Sequence, residues 1–326
     1  MQKPITQVKR GFVWEMKHNR TLYLMCIPAL LLLLAFAYLP MGAIYMAFTK
    51  HNAVDGIFGS PFVGFRNFSY FLSGNPYFWN AVKNTLIINF WGLILGTITP
   101  ISIAIFMNEI RNGPFKKISQ SAMFFPYFLS WVVVGAILYG FLSANFRIDR
   151  ETGELIANTN GVINRLLMAL GVKPVRWYAE PKYWKMIVIL LDVWKWAGYN
   201  SIIYMAAMAG FDGSLYEAAT IDGASRFQQI RYLTIPMLKP NVVILTLMCI
   251  GRIFYGDMGM IWGLVGQNAT LLDEVTVIDT YVYTSMRTMG FGFSTAVGLF
   301  QSIMGLILIL LANSAAKKIN DGEGLF

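Results

Sequence analysis

Hydrophobic residues in this chain gather into six stretches, each long enough to cross a bilayer and separated by polar segments. They run about Leu22 to Phe48, Thr85 to Met107, Ile118 to Ser143, Lys185 to Gly210, Val242 to Val265 and Phe293 to Asn313. At a rise of about 1.5 Å per residue, roughly 20 residues span the hydrocarbon core, so the pattern predicts six transmembrane helices. Pro28 and Pro40 fall inside the first stretch, Asn89 and Pro100 inside the second. The longest connection, Ala144 to Trp184, contains GVINRLLMALG, whose apolar spacing predicts a short amphipathic helix. No repeat or separate soluble segment stands out, so residues 1–326 read as one all-α, polytopic membrane domain.

The most informative polar interruption is 212–240, whose core, Ser214 to Pro236, reads SLYEAATIDGASRFQQIRYLTIP. Ser214 and Glu217 have the spacing of a capping box, which predicts a helix starting at Ser214. Gly223 suits the left-handed conformation that ends one helix and lets another leave at an angle. Phe227, Ile230 and Leu233 then form an apolar stripe, and Pro236 and Pro240 are expected to break the chain before the next span. Two short helices at the membrane surface result, the first lined by the small residues Ala218 and Ala219.

This stretch resembles the cytoplasmic EAA loop of permease subunits in binding-protein-dependent ABC importers. Glu217-Ala218-Ala219 is followed by three residues, Gly223, nine residues and Leu233-Thr234-Ile235-Pro236. Trp196-Ala-Gly198-Tyr199-Asn200, leading into Ile202–Ala207 and Leu215–Ala219, is similar to the sugar-permease branch. Together with Gly59–Phe68 it looks like the LplB-like permeases of oligosaccharide and polysaccharide importers. The resemblance implies a type I importer permease fold (MetI-like), a second homologous permease, two ATP-binding subunits that hold ATP and Mg, and an external solute-binding protein. Under it, Ser214, Glu217, Ala218, Ala219, Asp222, Gly223 and Phe227 are the residues expected to couple to the ATPase. The sequence carries no phosphate-binding G-x-x-x-x-G-K-[ST], so no cofactor is expected in this chain and ATP hydrolysis is expected in a partner.

Composition agrees with a membrane protein: 56% of residues are hydrophobic and 13% charged. The net charge of +9 comes from basic residues spread over the loops, without the clusters that nucleic-acid binding needs. Cys26 and Cys249 sit in different spans, and His18 and His51 lie outside them, so neither a disulfide framework nor a metal site is expected. One set of loops, holding both termini and the 212–240 segment, carries 13 Lys and Arg in about 72 residues; the opposite set carries 10 in about 103. The denser side is cytoplasmic by the positive-inside rule, which puts both termini in the cytoplasm, and the resemblance implies that the membrane is a bacterial inner membrane. Met1 to Arg20 has no cleavage site after the first apolar stretch, so an anchor is expected there.

Polar residues inside the spans are costly and therefore informative. Lys195 and Arg252 each fall about 15 Å from the start of their spans, near the midplane. Asp192 and Asp257 lie slightly outward, and Gly251, Gly256 and Gly259 weaken the fifth span at that depth. With Trp194, Trp196, Tyr199, Asn200 and Tyr255 they form a candidate cargo pathway, aromatic rings being the flat surfaces that sugars stack on. Two readings stand side by side: the charges line the pathway, or Asp192 neutralises Lys195 at i,i+3 and Arg252 pairs with Asp257 or Asp192. The cationic residues favour an acidic oligosaccharide of uronate type, with neutral oligosaccharides the alternative. A stand-alone secondary transporter is the rival class.

Overall fold

The computed structural model describes residues 14, 18–111, 113–148, 155–158 and 161–319. Expectations for Met1 to Arg20 and for the end of the tail therefore fall largely outside the described residues, as do Asp149, Glu151 and Glu154 of the long loop.

The fold is helical. The first span, α1 (Arg20–Phe48), begins as an α-helix, widens to a π-helical stretch at Leu34–Tyr38 and tightens to 3-10 geometry at Leu39–Phe48. Pro40 lies at the start of the last stretch, where it donates no backbone hydrogen bond. The most apolar window of α1 buries nothing within the chain, so its side chains face lipid or another subunit. α2 (Pro76–Glu109) is capped by Asn75, whose side chain accepts from Tyr77 N at 3.0 Å and Phe78 N at 3.3 Å.

The expected straight span over 118–143 is instead two helices, α3 (Pro114–Phe128) and α4 (Trp131–Leu142), bent by 102°. Leu129 and Ser130 are extended, and the Ser130 hydroxyl accepts from Val133 N at 3.3 Å, starting α4 afresh. The 144–184 connection then forms a two-stranded antiparallel ribbon, β1 (Asn145–Ile148) with β2 (Leu155–Asn158), and the anticipated amphipathic helix, α5 (Val162–Ala169). The ribbon is the only sheet among the described residues.

α6 (Trp184–Ala209) runs beside α2 and is the long axis of the core. At one end Trp184, Val188 and Val193 pack with Ile261 and Val275; at the other Tyr204 and Met208 pack with Ala104 and Leu238. Four residues past Ala209 the surface helix α7 (Gly213–Ile221) begins, and α8 (Arg226–Ile250) follows it.

The fifth expected span, 242–265, is also revised. α8 enters the membrane unbroken through Pro236 and Pro240, because the wider π turn at Ile230–Thr234 absorbs the lost bond register ahead of Pro236. The break comes later, at Gly251–Asp257, after which α9 (Met258–Val265), α10 (Ala269–Val275) and α11 (Ile278–Met289) make a helical excursion. The last span, α12 (Phe291–Ile319), closes the bundle against α1 and α11, where Phe71, Phe78, Tyr281 and Phe293 form a second core.

Candidate functional site: a coupling loop and two interrupted helices

The loop between α6 and α8 is a compact unit. Its first helix starts one residue before the expected Ser214. The cap is Asp212, whose carboxylate accepts from Ser214 N at 2.9 Å, so Ser214 and Glu217 do not form a capping box. The same backbone N–H holds the Asp212 carboxyl below its ordinary range. The capping box belongs to the second helix: Ser225 Oγ accepts from Gln228 N at 3.4 Å, and Gln228 Oε1 accepts from Ser225 N at 2.7 Å.

Between the two helices Gly223 sits at φ +81°, with Ala224 N donating to Ala219 O at 2.9 Å and Gly223 N to Thr220 O at 3.1 Å. That pair of bonds is a Schellman turn, which needs a left-handed residue at this position. Buried Gln229 then fastens the loop: its Nε2 donates to Thr220 Oγ1 at 3.0 Å and Ala224 O at 3.3 Å. The Tyr216 hydroxyl shares a 3.0 Å hydrogen bond with Thr234 Oγ1, tying α7 to the foot of α8. Glu217, Ala218, Asp222 and Phe227 lie on the exposed side, Ala219 half-buried. Leu215, Ile221, Phe227 and Tyr232 are exposed apolar side chains there among the described residues, Ile221 being 86% exposed.

The second feature is the pair of breaks. At Gly251–Asp257 the freed carbonyls are met from neighbouring helices. Asn89 Nδ2 donates to Ile253 O and Tyr255 O, both at 2.7 Å. Buried Gln301 donates to Phe254 O at 2.8 Å and to Asp279 Oδ2 at 2.9 Å, and Asp279 also accepts from Gly256 N at 2.5 Å. The turn is thus held at both flanks by α2, α11 and α12. Asp257 ends it by capping α9, accepting from Met260 N at 2.8 Å, while its other oxygen takes the Trp131 indole N–H at 2.8 Å.

Lys195 projects from α6 into the α3–α4 break. Its ammonium donates to Pro126 O at 3.4 Å, Tyr127 O at 2.9 Å and Leu129 O at 2.5 Å, and the residue is only 6% exposed. It forms no direct ion pair with Asp192 or Asp257, although both carboxylates lie near enough to act on its charge. Asp192 is half-buried, against Gly92 of α2. Arg252 is exposed and makes no ion pair with Asp257 or Asp192 among the described residues.

The candidate aromatics separate. Trp196 and Tyr199 gather with Tyr127 of the break: Tyr127 and Tyr199 stack at 4.3 Å between centroids and 12° between planes, and Trp196 meets Tyr127 edge-on at 5.3 Å. Trp196 and Tyr199 are 36% and 40% exposed, so the cluster presents an open aromatic face. Asn200 is half-buried beside it in sequence. Trp194 points elsewhere, lining apolar cavities of about 380 Å³ and 620 Å³ against α4 and α3. Tyr255 is 37% exposed and shares a 3.0 Å hydrogen bond with Ser302. Tyr127, Asn89, Asp279 and Gln301 were not among the sequence candidates; an Asn, Asp or Gln close to an apolar stretch was the available signal.

In the 144–184 connection, Tyr178 packs on Tyr139 and Trp184, and burial pushes its phenol up to about 12. Trp177 donates to Asn164 at 3.1 Å and is engaged within the loop.

A multi-pass helical bundle with interrupted spans and an exposed two-helix loop is the architecture of a membrane permease. The chain belongs to the family described as the binding-protein-dependent transport system inner membrane component, whose pattern matches residues 96–321. It is 33% identical to Protein LplB of Bacillus subtilis over 99% of this chain and 97% of that one. It is 35% identical to the polygalacturonan/rhamnogalacturonan transport system permease YteP of the same organism, over 98% and 94% respectively. Among solved structures it is similar to a bacterial ABC transporter involved in the import of the acidic polysaccharide alginate, with a TM-score of 0.81, 30% identity, and 95% of this chain and 100% of that one covered. A second alginate transporter structure, in complex with a pentasaccharide-bound periplasmic protein, matches with a TM-score of 0.82 and 29% identity over 97% and 100% of the two chains.

Proposed function

We propose that this chain is one permease of a two-permease importer that carries oligosaccharides into the cytoplasm, driven by ATP and Mg bound in two partner ATPase subunits. An external binding protein delivers the cargo, a reading supported by the similar alginate transporter, which is in complex with an alginate pentasaccharide-bound periplasmic protein. The α7 loop seats in the ATPase through Leu215, Ile221 and Phe227, with Ala218 and Ala219 allowing close approach, and both termini lie on that cytoplasmic side. The observation that carries the cargo reading is the exposed Tyr127–Tyr199–Trp196 face beside the α3–α4 break, a surface suited to stacking sugar rings.

Acidic cargo is favoured over neutral. Arg252 is exposed and free of an ion pair among the described residues, so its guanidinium is available to a carboxylate. The named relatives for alginate and polygalacturonan support the same class. Lys195 is no longer part of that argument, since its protons are committed to carbonyls. The test is the reconstituted complex with its binding protein. Uronate oligomers are expected to stimulate ATP hydrolysis more than neutral oligomers of equal length, and Arg252→Gln to erase much of the difference. Equal stimulation, or unchanged selectivity in Arg252→Gln, refutes the acidic reading. Uptake by this chain without any ATPase refutes the importer reading in favour of a secondary transporter.

A further inference from the structure

We propose that Lys195 is a positioning residue: it fixes the α3–α4 break in one geometry and thereby presents the Tyr127 ring on the cargo face. This rests on the reading of Tyr127, Trp196 and Tyr199 as cargo contacts.

A helix that stops at Phe128 leaves its last C=O groups short of intrahelical donors, with Pro126 O already accepting from Leu129 N at 3.2 Å, and the negative end of its dipole points into the break. Inside a membrane protein such groups need a partner. One ammonium supplies it. Lys195 Nζ reaches the carbonyls of Pro126, Tyr127 and Leu129, three acceptors for the three protons an ammonium carries. No proton remains for a direct hydrogen bond to cargo or to Asp192.

The chain is built for this approach. One turn beyond Lys195, a Cβ on Gly198 would overlap the Met123 carbonyl, so only glycine lets α6 lie this close to α3. The rings of Tyr127 and Trp131 flank the ammonium at 5.9 Å and 5.4 Å, and the Trp131 indole is anchored to Asp257 on the far side of the break.

The consequence for cargo follows from one residue having two contacts. Tyr127 is held by its carbonyl to Lys195 at 2.9 Å, and its ring stacks on Tyr199 one turn along the same helix. Main chain and side chain are therefore fixed to α6 from two points. Without the lysine, the break gains freedom and the stack loses its register, although Tyr127, Trp196 and Tyr199 are all still present.

The experiment uses the assembled transporter in proteoliposomes with saturating binding protein and uronate oligomers. It compares Lys195→Met, Lys195→Arg, Tyr127→Leu and the Lys195→Met/Tyr127→Leu double variant. Methionine keeps the apolar stem and removes every donor; arginine restores donors. Expected results are a drop of about tenfold in cargo-stimulated ATP hydrolysis for Lys195→Met, the scale of one charge-assisted hydrogen bond. Substantial recovery is expected in Lys195→Arg, and a double variant no worse than Tyr127→Leu alone. Amide hydrogen exchange over 127–134 should be faster in Lys195→Met and restored in Lys195→Arg. Unchanged exchange in Lys195→Met overturns the proposal, because the break is then held by something else. Faster exchange with additive effects on ATP hydrolysis also overturns it, leaving a purely structural lysine. A Tyr127→Leu variant with normal cargo stimulation overturns the cargo-face reading itself, and the exchange data then show separately whether Lys195 holds the break.

Discussion

Gln301 offers the sharpest test of how the second break is held. It is 3% exposed, and its amide donates to the Phe254 carbonyl at 2.8 Å and to the Asp279 carboxylate at 2.9 Å. Gln301→Leu keeps most of the volume and removes both donors. A net hydrogen bond to a neutral acceptor contributes about 0.5–1.5 kcal/mol and one to a charged group about 1.5–3, so the loss is about 2–4.5 kcal/mol. Asp279 keeps its bond from Gly256 N, which holds the cost within that range. Gln301→Glu is nearly isosteric and should be worse at neutral pH, since it sets a second carboxylate against Asp279 and a lone pair against Phe254 O. Thermal unfolding of the purified transporter in detergent should rank wild type above Leu above Glu, with the midpoint lowered by at least about 3 °C in Gln301→Leu. Wild-type midpoints in both variants, or a Glu variant more stable than the Leu variant, would show that the turn at Gly251–Asp257 does not depend on this side chain.

Three further outcomes are expected. Gly223→Val, forced into the left-handed region at φ +81°, should disrupt the Schellman turn and reduce co-purification of the ATPase and uptake together, while the spans still insert; normal binding and uptake would contradict it. Gly198→Leu should destabilise the chain strongly by driving α6 from α3, seen as loss of folded protein on gel filtration, whereas Gly140→Leu, which meets open space, should not. Asp212 is held below its usual range when folded, so its capping contribution is present above the ordinary carboxylate pKa and is lost as pH falls through the lowered value; Asp212→Ala should speed exchange of the Ser214 amide at neutral pH, with the difference from wild type vanishing at strongly acidic pH.

The long spans and the two-helix loop were legible because both depend on local signals. Apolar runs of bilayer length and the spacing from Glu217 to Pro236 are readable without neighbours. Gly223 was readable for the same reason, since a left-handed residue between two helices is a backbone requirement. What misled was also local: Pro236 and Pro240 looked like breakers, but a π turn just upstream absorbs the first and the helix carries through both. Ser214 and Glu217 had cap spacing, yet Asp212 lay two residues earlier with a better acceptor, and helix starts are decided by such small competitions. The α3–α4 bend was harder, because Pro126 and Ser130 sit in a run apolar enough to read as one span. The partners of Lys195 were out of reach in principle. Its acceptors are carbonyls some 66 to 69 residues away, and a main-chain oxygen leaves no mark in the sequence. Asn89, Asp279 and Gln301 converge on one turn from three separate helices, a meeting that only the folded bundle defines.

The unbroken run of α8 carries a mechanical meaning. Its 25 residues make a rod about 37 Å long, with the two-helix loop at its foot and the Gly251–Asp257 break at its head. Gln229 and the Tyr216–Thr234 bond clamp the foot, so the loop cannot swivel without taking the rod along. A tilt of about 5° about the foot sweeps the head through roughly 3 Å, the width of a hydrogen bond. A kink at Pro236 would have dissipated that motion near the surface. Carried intact, it reaches Gly251–Asp257, where side-chain amides hold the backbone in place of its own helix, and a displacement of that size is as large as the hydrogen bonds it meets there.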